Sequence, residues 1–126
     1  MTEPADPSSP LTITARESTQ GPVVAPVGAI DFDNAPHLRI ALHEVLDRIP
    51  APRVAVLDLS QVTFCDSSAL NAMLLAHRQA QRTGTQLRLA SPGGIVARML
   101  ELTGADQVFP VDRRPPLDAE PDSRVA

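Results

Sequence analysis

Residues 54–70, VAVLDLSQVTFCDSSAL, decide the fold because a strand pattern changes there into a helix pattern within a few positions. Residues 54–59 are apolar except for Asp58, and most are β-branched or Leu, which is typical of a strand covered on both faces. Residues 66–68, Asp-Ser-Ser, have side-chain oxygens that cap helix N-termini, and an apolar helical run follows. The stretch predicts a buried strand, a short loop, and a helix that displays a hydroxyl at its N-terminus.

The length and composition limit the architecture and the location. A chain of 126 residues that is 43% hydrophobic can build one core. The single cysteine, Cys65, excludes an intramolecular disulfide and the usual multi-cysteine zinc sites, and it favours a reducing, cytoplasmic location. The first ten residues have neither a basic region nor an apolar block, so we expect no secretion signal.

Charge and aromatic content argue against two classes of partner. The chain has a net charge of −4, no Trp or Tyr and three Phe, so it lacks the basic surface and stacking aromatics that nucleic-acid binding uses. No segment approaches the ~20 apolar residues that span a bilayer. We therefore expect neither direct nucleic-acid binding nor membrane insertion.

The residues before this central stretch predict two strands and a helix. Residues 1–10 contain three prolines and no hydrophobic period, which predicts a disordered N-terminal tail. Apolar and polar residues alternate over 11–16, and a second apolar run, 23–30, is predicted to pair antiparallel with the first. Pro26 in that run indicates an edge position or a bulge. A helix that ends before Pro50 and Pro52 is predicted from apolar residues at helical spacing: Leu38, Ala41, Leu42, Val45, Leu46 and Ile49.

The residues after the central stretch predict a helix, a strand, a further helix and a short last strand. In the helix after Asp66, one arc is predicted to face the sheet, and Ala72 and Leu75 are predicted to point away from it. The inward arc comprises Ala69, Leu70, Met73, Leu74, Ala76, His77 and Ala80. Gly84 is predicted to end this helix. Residues 86–90 predict a strand, and Ser91-Pro92 predicts the start of a helix with a buried stripe that ends at Gly104: Ile95, Val96, Met99 and Leu100.

This order of elements predicts one α/β domain. We expect a mixed sheet of four to five strands with helices packed against it, over residues 11–111, with a short last strand at 108–111. Residues 112–126 are predicted to be a disordered C-terminal tail. His37 and His43 are predicted to face solvent, and His77 to be partly buried and hydrogen-bonded. No third ligand accompanies the two helical histidines, so we predict no metal site and no cofactor.

Three short motifs are spread over nearly the whole predicted domain. Residues 65–70 read Cys-Asp-Ser-Ser-Ala-Leu, residues 28–31 read Gly-Ala-Ile-Asp, and a third segment runs from 87–92 to 102–104. They resemble the Asp-Ser-Ser-Gly-Leu signature, the Gly-Glu-Leu-Asp motif and the third segment of the STAS domain, and specifically of the stand-alone anti-sigma factor antagonists of bacteria. The chain departs from this pattern at Ala69, where the family usually has glycine, and at Ala29, where it has an acidic residue.

The resemblance implies a regulator that exchanges partners rather than an enzyme. In that family the first serine of the pair accepts a phosphate from an ATP-dependent kinase that is also the anti-sigma factor, and this role falls on Ser67 here. The unphosphorylated antagonist binds the anti-sigma factor and releases the sigma factor, and a serine phosphatase resets it. A docking surface is predicted around Ser67 from Asp31, Asp66, Ser68, Asn71, Leu75 and Arg78. A degenerate antagonist that binds but is poorly phosphorylated remains an alternative.

The residues also give a physical basis for such a switch. A phosphate at a helix N-terminus is expected to meet free N–H groups and a dipole worth ~0.3–1 kcal/mol. It adds about −1.5 to −2 charges beside Asp66, with Asp31 expected nearby, and no arginine adjoins Ser67 in the sequence. Burying an unpaired phosphate under a partner is expected to cost several kcal/mol. The modified protein would release its partner and stay folded.

Two other functions are compatible with the sequence. A STAS adaptor subunit of a membrane transport complex would have the same fold, but a serine that accepts phosphate favours the antagonist. A small serine hydrolase is disfavoured because no Gly-x-Ser-x-Gly turn surrounds Ser67 and no histidine is obviously placed to activate it. We therefore predict no catalytic residue.

Overall fold

Strands and helices alternate along most of the chain. The computed structural model describes residues 11–49 and 53–118. The predicted N-terminal tail, the two prolines predicted to end the first helix, and residues 119–126 lie outside the described residues. The elements are β1 (Thr12–Glu17), β2 (Pro22–Ile30), α1 (Ala35–Arg48), β3 (Val54–Asp58), β4 (Val62–Cys65), α2 (Ser67–Arg82), β5 (Gln86–Ala90), α3 (Gly94–Thr103), a 3₁₀ turn (Ala105–Gln107) and β6 (Val111–Asp112).

The strands form one mixed sheet, so the predicted α/β class is confirmed. Its order is β1-β2-β3-β5-β6, and β4 pairs with β2 further along that strand. Only the β1–β2 pair is antiparallel among the described strands. The sheet has six strands instead of the predicted four to five, because β4 is a separate strand in what the sequence indicates is a loop. The last strand, β6, lies three residues later than its predicted start.

Strand β2 is an interior strand, so the edge position predicted from Pro26 is wrong. Its first half pairs with β3 and its second half with β4, while β1 lies along its other side. Pro26 lies between these two halves, where its missing N–H interrupts no hydrogen bond to β3 or β4. The pairing register with β4 shifts between Gly28 and Ala29, so an irregularity of the kind predicted as the alternative lies two to three residues beyond Pro26.

Helices α1, α2 and α3 cover one face of the sheet and form the main core with it. The predicted inward arc of α2 is confirmed, since its members are buried or partly buried. Ala72 was predicted to point outward, but it is only 3% exposed because α1 packs against that side of α2. Two small side chains of α2, Ala72 and Ala76, lie on the side that faces α1 and allow the two helices to approach closely.

Helix α3 begins later than the sequence predicts. Its N-cap is Gly93, and Ser91 has a left-handed backbone (φ 53°) while its hydroxyl donates to the carbonyl of Arg113 at 2.9 Å. A side chain that is used in this way is not available to cap the helix. Val96 and Leu100 are buried as predicted, but Ile95 is 63% exposed because it lies in the first turn of the later helix. The helix ends at Gly104, as predicted.

A second, smaller cluster lies on the sheet face away from the helices. Val23, Val56 and Ala90 form it and are completely buried. Residues 113–118 run from the β6 edge to the β1 edge, where Ser18 pairs with Asp118. The packed chain therefore extends past residue 111, and the disorder predicted from residue 112 does not apply to 112–118. At its two ends, Asp112 and Asp118 form ion pairs with Arg88 and Arg16 on distant strands, and the local sequence does not reveal these pairs.

Candidate functional site

The motifs at residues 28–31 and 65–70 lie side by side because β2 and β4 are parallel neighbours. Ile30 at the end of β2 lies opposite Cys65 at the end of β4. The next residues, Asp31 and Asp66, therefore leave the sheet at the same edge. The backbone N–H of Phe32 donates to Asp66 Oδ2 at 3.1 Å, and the N–H of Asp66 donates to the carbonyl of Ile30 at 3.2 Å. The predicted proximity of the two aspartates is confirmed, at the strand ends where α/β proteins commonly place their sites.

The carboxylate of Asp66 caps helix α2, as the sequence predicts. Its Oδ1 accepts hydrogen bonds from the N–H groups of Ser68 at 2.8 Å and Ala69 at 3.2 Å. The expectation that a phosphate on Ser67 would meet several free N–H groups is therefore corrected, because Asp66 already occupies two of the first three. The same carboxylate also fixes the loop after β2 through Phe32.

Asp31 organises the loop that leads into α1. Its Oδ1 accepts from the N–H groups of Asp33 at 3.0 Å and Asn34 at 3.2 Å, and its own N–H donates to Asn34 Oδ1 at 2.8 Å. Asn34 is the N-cap residue of α1, but its side chain makes no capping hydrogen bond. The carboxylates of Asp31 and Asp66 thus hold the backbone around the site in place.

Ser67 lies on a groove between the start of α2 and the start of α1. It is the first residue of α2 and is exposed. The groove encloses about 330 Å³ and is lined by Phe32, Ala35, Pro36, Arg39, Ser67, Ser68, Asn71 and Ala72. Three of the predicted site residues, Ser67, Ser68 and Asn71, therefore share one surface with the loop after β2.

The other two predicted residues, Leu75 and Arg78, line a second groove further along the same helices. It encloses about 420 Å³, and its walls come from α1 and α2: Arg39, Ile40, His43, Glu44, Leu75, Ala76, Arg78, Gln79 and Arg82. Leu75 is 37% exposed, so its predicted outward position is confirmed. Arg39 lines both grooves, which makes the two grooves parts of one continuous surface.

Among the lining residues that sequence reasoning missed, Phe32 and Arg39 are the exposed aromatic residue and the charged residue of the first groove. Phe32 is 77% exposed. The sequence could have indicated it as a binding residue, because it is one of only three Phe and lies in an otherwise polar capping loop. Arg39 gave no signal, because its position beside Ser67 depends on how α1 packs against α2. An exposed arginine on an amphipathic helix is otherwise unremarkable.

The polar groups near Ser67 do not resemble a hydrolytic site. Burial, and secondarily the charge of Asp66, raises the pKa of the Cys65 thiol to about 11, so this cysteine is a poor nucleophile. None of the histidines lines the groove that holds Ser67. His37 and His43 are exposed as predicted, and His43 Nδ1 lies 2.9 Å from Gln79 Oε1. Within residues 11–49 and 53–118, no group of three potential metal ligands is found.

His77 differs in one respect from its prediction. It is partly buried, and its ring packs edge-on against Phe109 with the ring centroids 5.2 Å apart. Its buried Nδ1 has no hydrogen-bond partner among the described residues, so the predicted hydrogen bond is not seen at that nitrogen.

Comparison with known proteins identifies the family. The sequence profile of the STAS domain matches residues 12–116, and these include both grooves and the sheet. The chain belongs to the STAS-domain family. A STAS-domain containing protein of Pseudomonas aeruginosa is 31% identical over 103 residues, which are 80% of this chain and 99% of that protein. A Mycobacterium tuberculosis protein named as an anti-anti-sigma factor is 29% identical over 109 residues, which are 86% of this chain and 74% of the relative.

Solved structures support the same relationship for this STAS protein. The crystal structure of an anti-sigma factor antagonist from Mycobacterium paratuberculosis superposes with a TM-score of 0.69 at 28% identity, covering 89% of this chain and 90% of that one. The resemblance predicted from the three motifs is therefore confirmed. Among the described residues of this STAS protein, no helix is both long and apolar enough to traverse a bilayer.

Proposed function

We propose that this STAS protein is a cytoplasmic anti-sigma factor antagonist. It binds an anti-sigma factor that has serine kinase activity, phosphorylation at Ser67 ends the binding, and a serine phosphatase restores it. In this role the protein is a regulator and not an enzyme. The proposal rests most directly on one observation: Ser67 is exposed on the groove beside Phe32 and Arg39. The names of its relatives give the class of partner.

The composition of the first groove suits protein binding. Phe32, Ala35 and Pro36 provide apolar area, and Ser67, Ser68 and Asn71 provide hydrogen-bonding groups on the facing wall. Interfaces commonly combine an aromatic anchor with surrounding polar groups, and a few such anchors carry most of the binding energy. We assign Phe32 as the anchor of this docking surface.

Ala69, which stands where the family usually has glycine, does not obstruct access to Ser67. Ala69 is completely buried and packs in the main core. Its methyl group therefore points toward the sheet and away from the groove that a kinase would approach. This supports a phosphorylated antagonist over a degenerate one that only binds.

A phosphate on Ser67 would disrupt such an interface through its charge. The carboxylate of Asp66 is fixed next to it by three backbone N–H groups, so it cannot turn away to relieve the repulsion. A partner that covers Ser67 would desolvate both negative groups, and this is expected to cost several kcal/mol. Each ~1.4 kcal/mol of that cost weakens binding tenfold.

The test compares Ser67→Ala with Ser67→Asp in binding to candidate anti-sigma factor kinases, measured by calorimetry. We expect the alanine variant to bind at least as tightly as the unmodified protein, and the aspartate variant to bind at least roughly tenfold more weakly. Incubation with the kinase and ATP, followed by mass spectrometry, should place the phosphate on Ser67. Ser68→Ala is the matched control, and it should still be phosphorylated.

Equal binding by the two Ser67 variants would contradict the charge mechanism, and modification only at Ser68 would move the site. Co-purification with a transporter ATPase and no kinase would instead favour the adaptor function.

A further inference from the structure

The surroundings of Ser67 offer few donors to a phosphate at the helix N-terminus. Two of the first three N–H groups of α2, those of Ser68 and Ala69, donate to Asp66. That carboxylate is also a fixed negative charge next to the modified residue. A cationic donor from another element would therefore stabilise a phosphate on Ser67, because the nearby carboxylate of Asp66 disfavours a second negative charge.

Arg39 is the cationic group on the facing wall. It is the only charged side chain among the residues that line the first groove. It is exposed, and in the described part of the chain it takes part in no ion pair. Its guanidinium is thus not committed to another carboxylate of the folded domain. Arginine suits a phosphate because its planar fork can donate two hydrogen bonds at once.

We propose that Arg39 binds the phosphate on Ser67 across the groove between α1 and α2. This inference rests on the proposed function, since it concerns the phosphorylated form. The pairing joins two helices that are separate in sequence, and it offsets the repulsion from Asp66. The phosphorylated domain then retains its fold while its surface changes.

The pairing also changes the second groove. Arg39 lines that groove together with Ile40, Leu75, Arg78 and Arg82. When its guanidinium turns toward the phosphate, the second groove loses one of its three arginines. Phosphorylation thus has two effects on a docked partner: it adds negative charge at Ser67, and it removes positive charge one to two turns away. A partner with an acidic segment over the second groove would be released by both effects.

The test uses the full chain with phosphoserine inserted at position 67 during translation, so that no kinase is needed. Phosphorus NMR over a pH titration gives the second pKa of the phosphate, which is about 6 for an unpaired group. The titration is compared for the otherwise unchanged protein, Arg39→Gln and Arg39→Lys. Arg78→Gln is the matched control, because Arg78 lines the second groove only.

We expect Arg39→Gln to raise the second pKa of the phosphate by about half a unit or more, since the arginine stabilises the doubly charged form. Arg39→Lys should restore part of the shift, and Arg78→Gln should leave the pKa unchanged. Identical values for Arg39→Gln and the unchanged protein would overturn the proposal. Equal pKa shifts in Arg39→Gln and Arg78→Gln would also overturn it. They would indicate that the phosphate responds to the overall positive charge of the surface and not to a specific pair with Arg39.

The outcome is separable from that of the proposed function. If candidate kinases never modify Ser67, the proposed function fails although the titration can still show the pair. If the kinases modify Ser67 but Arg39→Gln leaves the titration unchanged, only the present inference fails. Glutamine is a good helix former at this exposed position, so the variant should fold, and circular dichroism checks this.

Discussion

At the scale of single residues, three aspartates of this domain accept hydrogen bonds from its own backbone. Asp31 and Asp66 hold the loop and helix that flank the site, and Asp58 accepts from the N–H of Ser60 at 2.9 Å. Asp112, like Asp118, instead pairs with an arginine side chain. Arg88 donates to its two oxygens at 2.7 and 2.8 Å, which fixes β6 to β5 through a charged fork.

The Asp112–Arg88 pair predicts a pH dependence of stability. The hydrogen bond from Arg88 lowers the pKa of Asp112 below its usual value. A lowered folded-state pKa gives stability that is present above the unfolded pKa of about 4 and is lost as the pH falls through the folded pKa. Asp112→Asn should therefore reduce the unfolding free energy by up to about 1 kcal/mol at pH 6, and by progressively less as the pH falls below about 4.

Urea unfolding followed by far-ultraviolet circular dichroism measures this difference, since the chain has no Trp or Tyr for fluorescence. Asp47→Asn, at an exposed position of α1, is the control. A difference between Asp112→Asn and the unchanged protein that stays constant from pH 6 to pH 3 would show that the ion pair is not its source.

Single-residue predictions succeeded where the cause is local. The cap by Asp66 and the exposure of Ser67 follow from positions next to one another in the chain, so the sequence pattern was sufficient. Arg39 was not predictable, because it meets Ser67 only after α1 has packed against α2. The contact of His77 with Phe109 was likewise not predictable, because the two residues are 32 positions apart in the sequence.

At the scale of elements, the loop after β2 and the start of α2 form one unit. The parallel pairing of β2 and β4 places their ends together, and the bond from Phe32 to Asp66 joins the segments that follow. This arrangement holds an exposed aromatic ring beside Ser67 without burying it. The loop contributes the apolar half of the proposed docking surface, and the helix contributes the polar half.

Phe32→Ala tests this division. We expect it to weaken binding to the anti-sigma factor kinase at least roughly tenfold, because a central aromatic anchor is commonly worth ~2 kcal/mol or more. Phe64→Ala is the matched control: Phe64 is also an exposed phenylalanine, on β4, but it does not line the groove. Its binding should change less than about threefold. Similar losses in both variants would remove Phe32 from the docking surface.

The elements themselves were largely predictable, and their pairing was not. Periodicity and capping residues gave the helices and most strands, because both are set by neighbours within a few residues. Strand β4 was missed because its four residues follow a tight turn after β3, and their pairing with β2 depends on residues more than 30 positions earlier. The same long-range pairing made β2 an interior strand despite Pro26.

At the scale of the whole molecule, the two faces of the sheet are covered in different ways. Three helices cover one face, whereas Val23, Val56 and Ala90 form a small buried cluster on the other. The segment 113–118 runs from the β6 edge to the β1 edge, and we infer that it covers this cluster. Arg16 holds that segment in place. Its guanidinium donates to Asp118 at 2.6 Å and to the carbonyl of Pro116 at 3.4 Å, and it lies 3.8 Å from Asp58.

If the segment 113–118 covers this face of the sheet, the chain needs these residues for full stability. A variant that ends at Asp112 should expose Val23 and Val56, and each buried valine is worth roughly 1.5–3 kcal/mol. Because side chains that remain on the sheet would still shield part of this surface, we expect a loss of about 2–4 kcal/mol in the unfolding free energy measured in urea. A variant that ends at Asp118 is the control, because it separates this loss from any contribution of residues 119–126. If both variants unfold at the same urea concentration, the segment does not stabilise the fold, and the burial of the second face must come from the sheet alone.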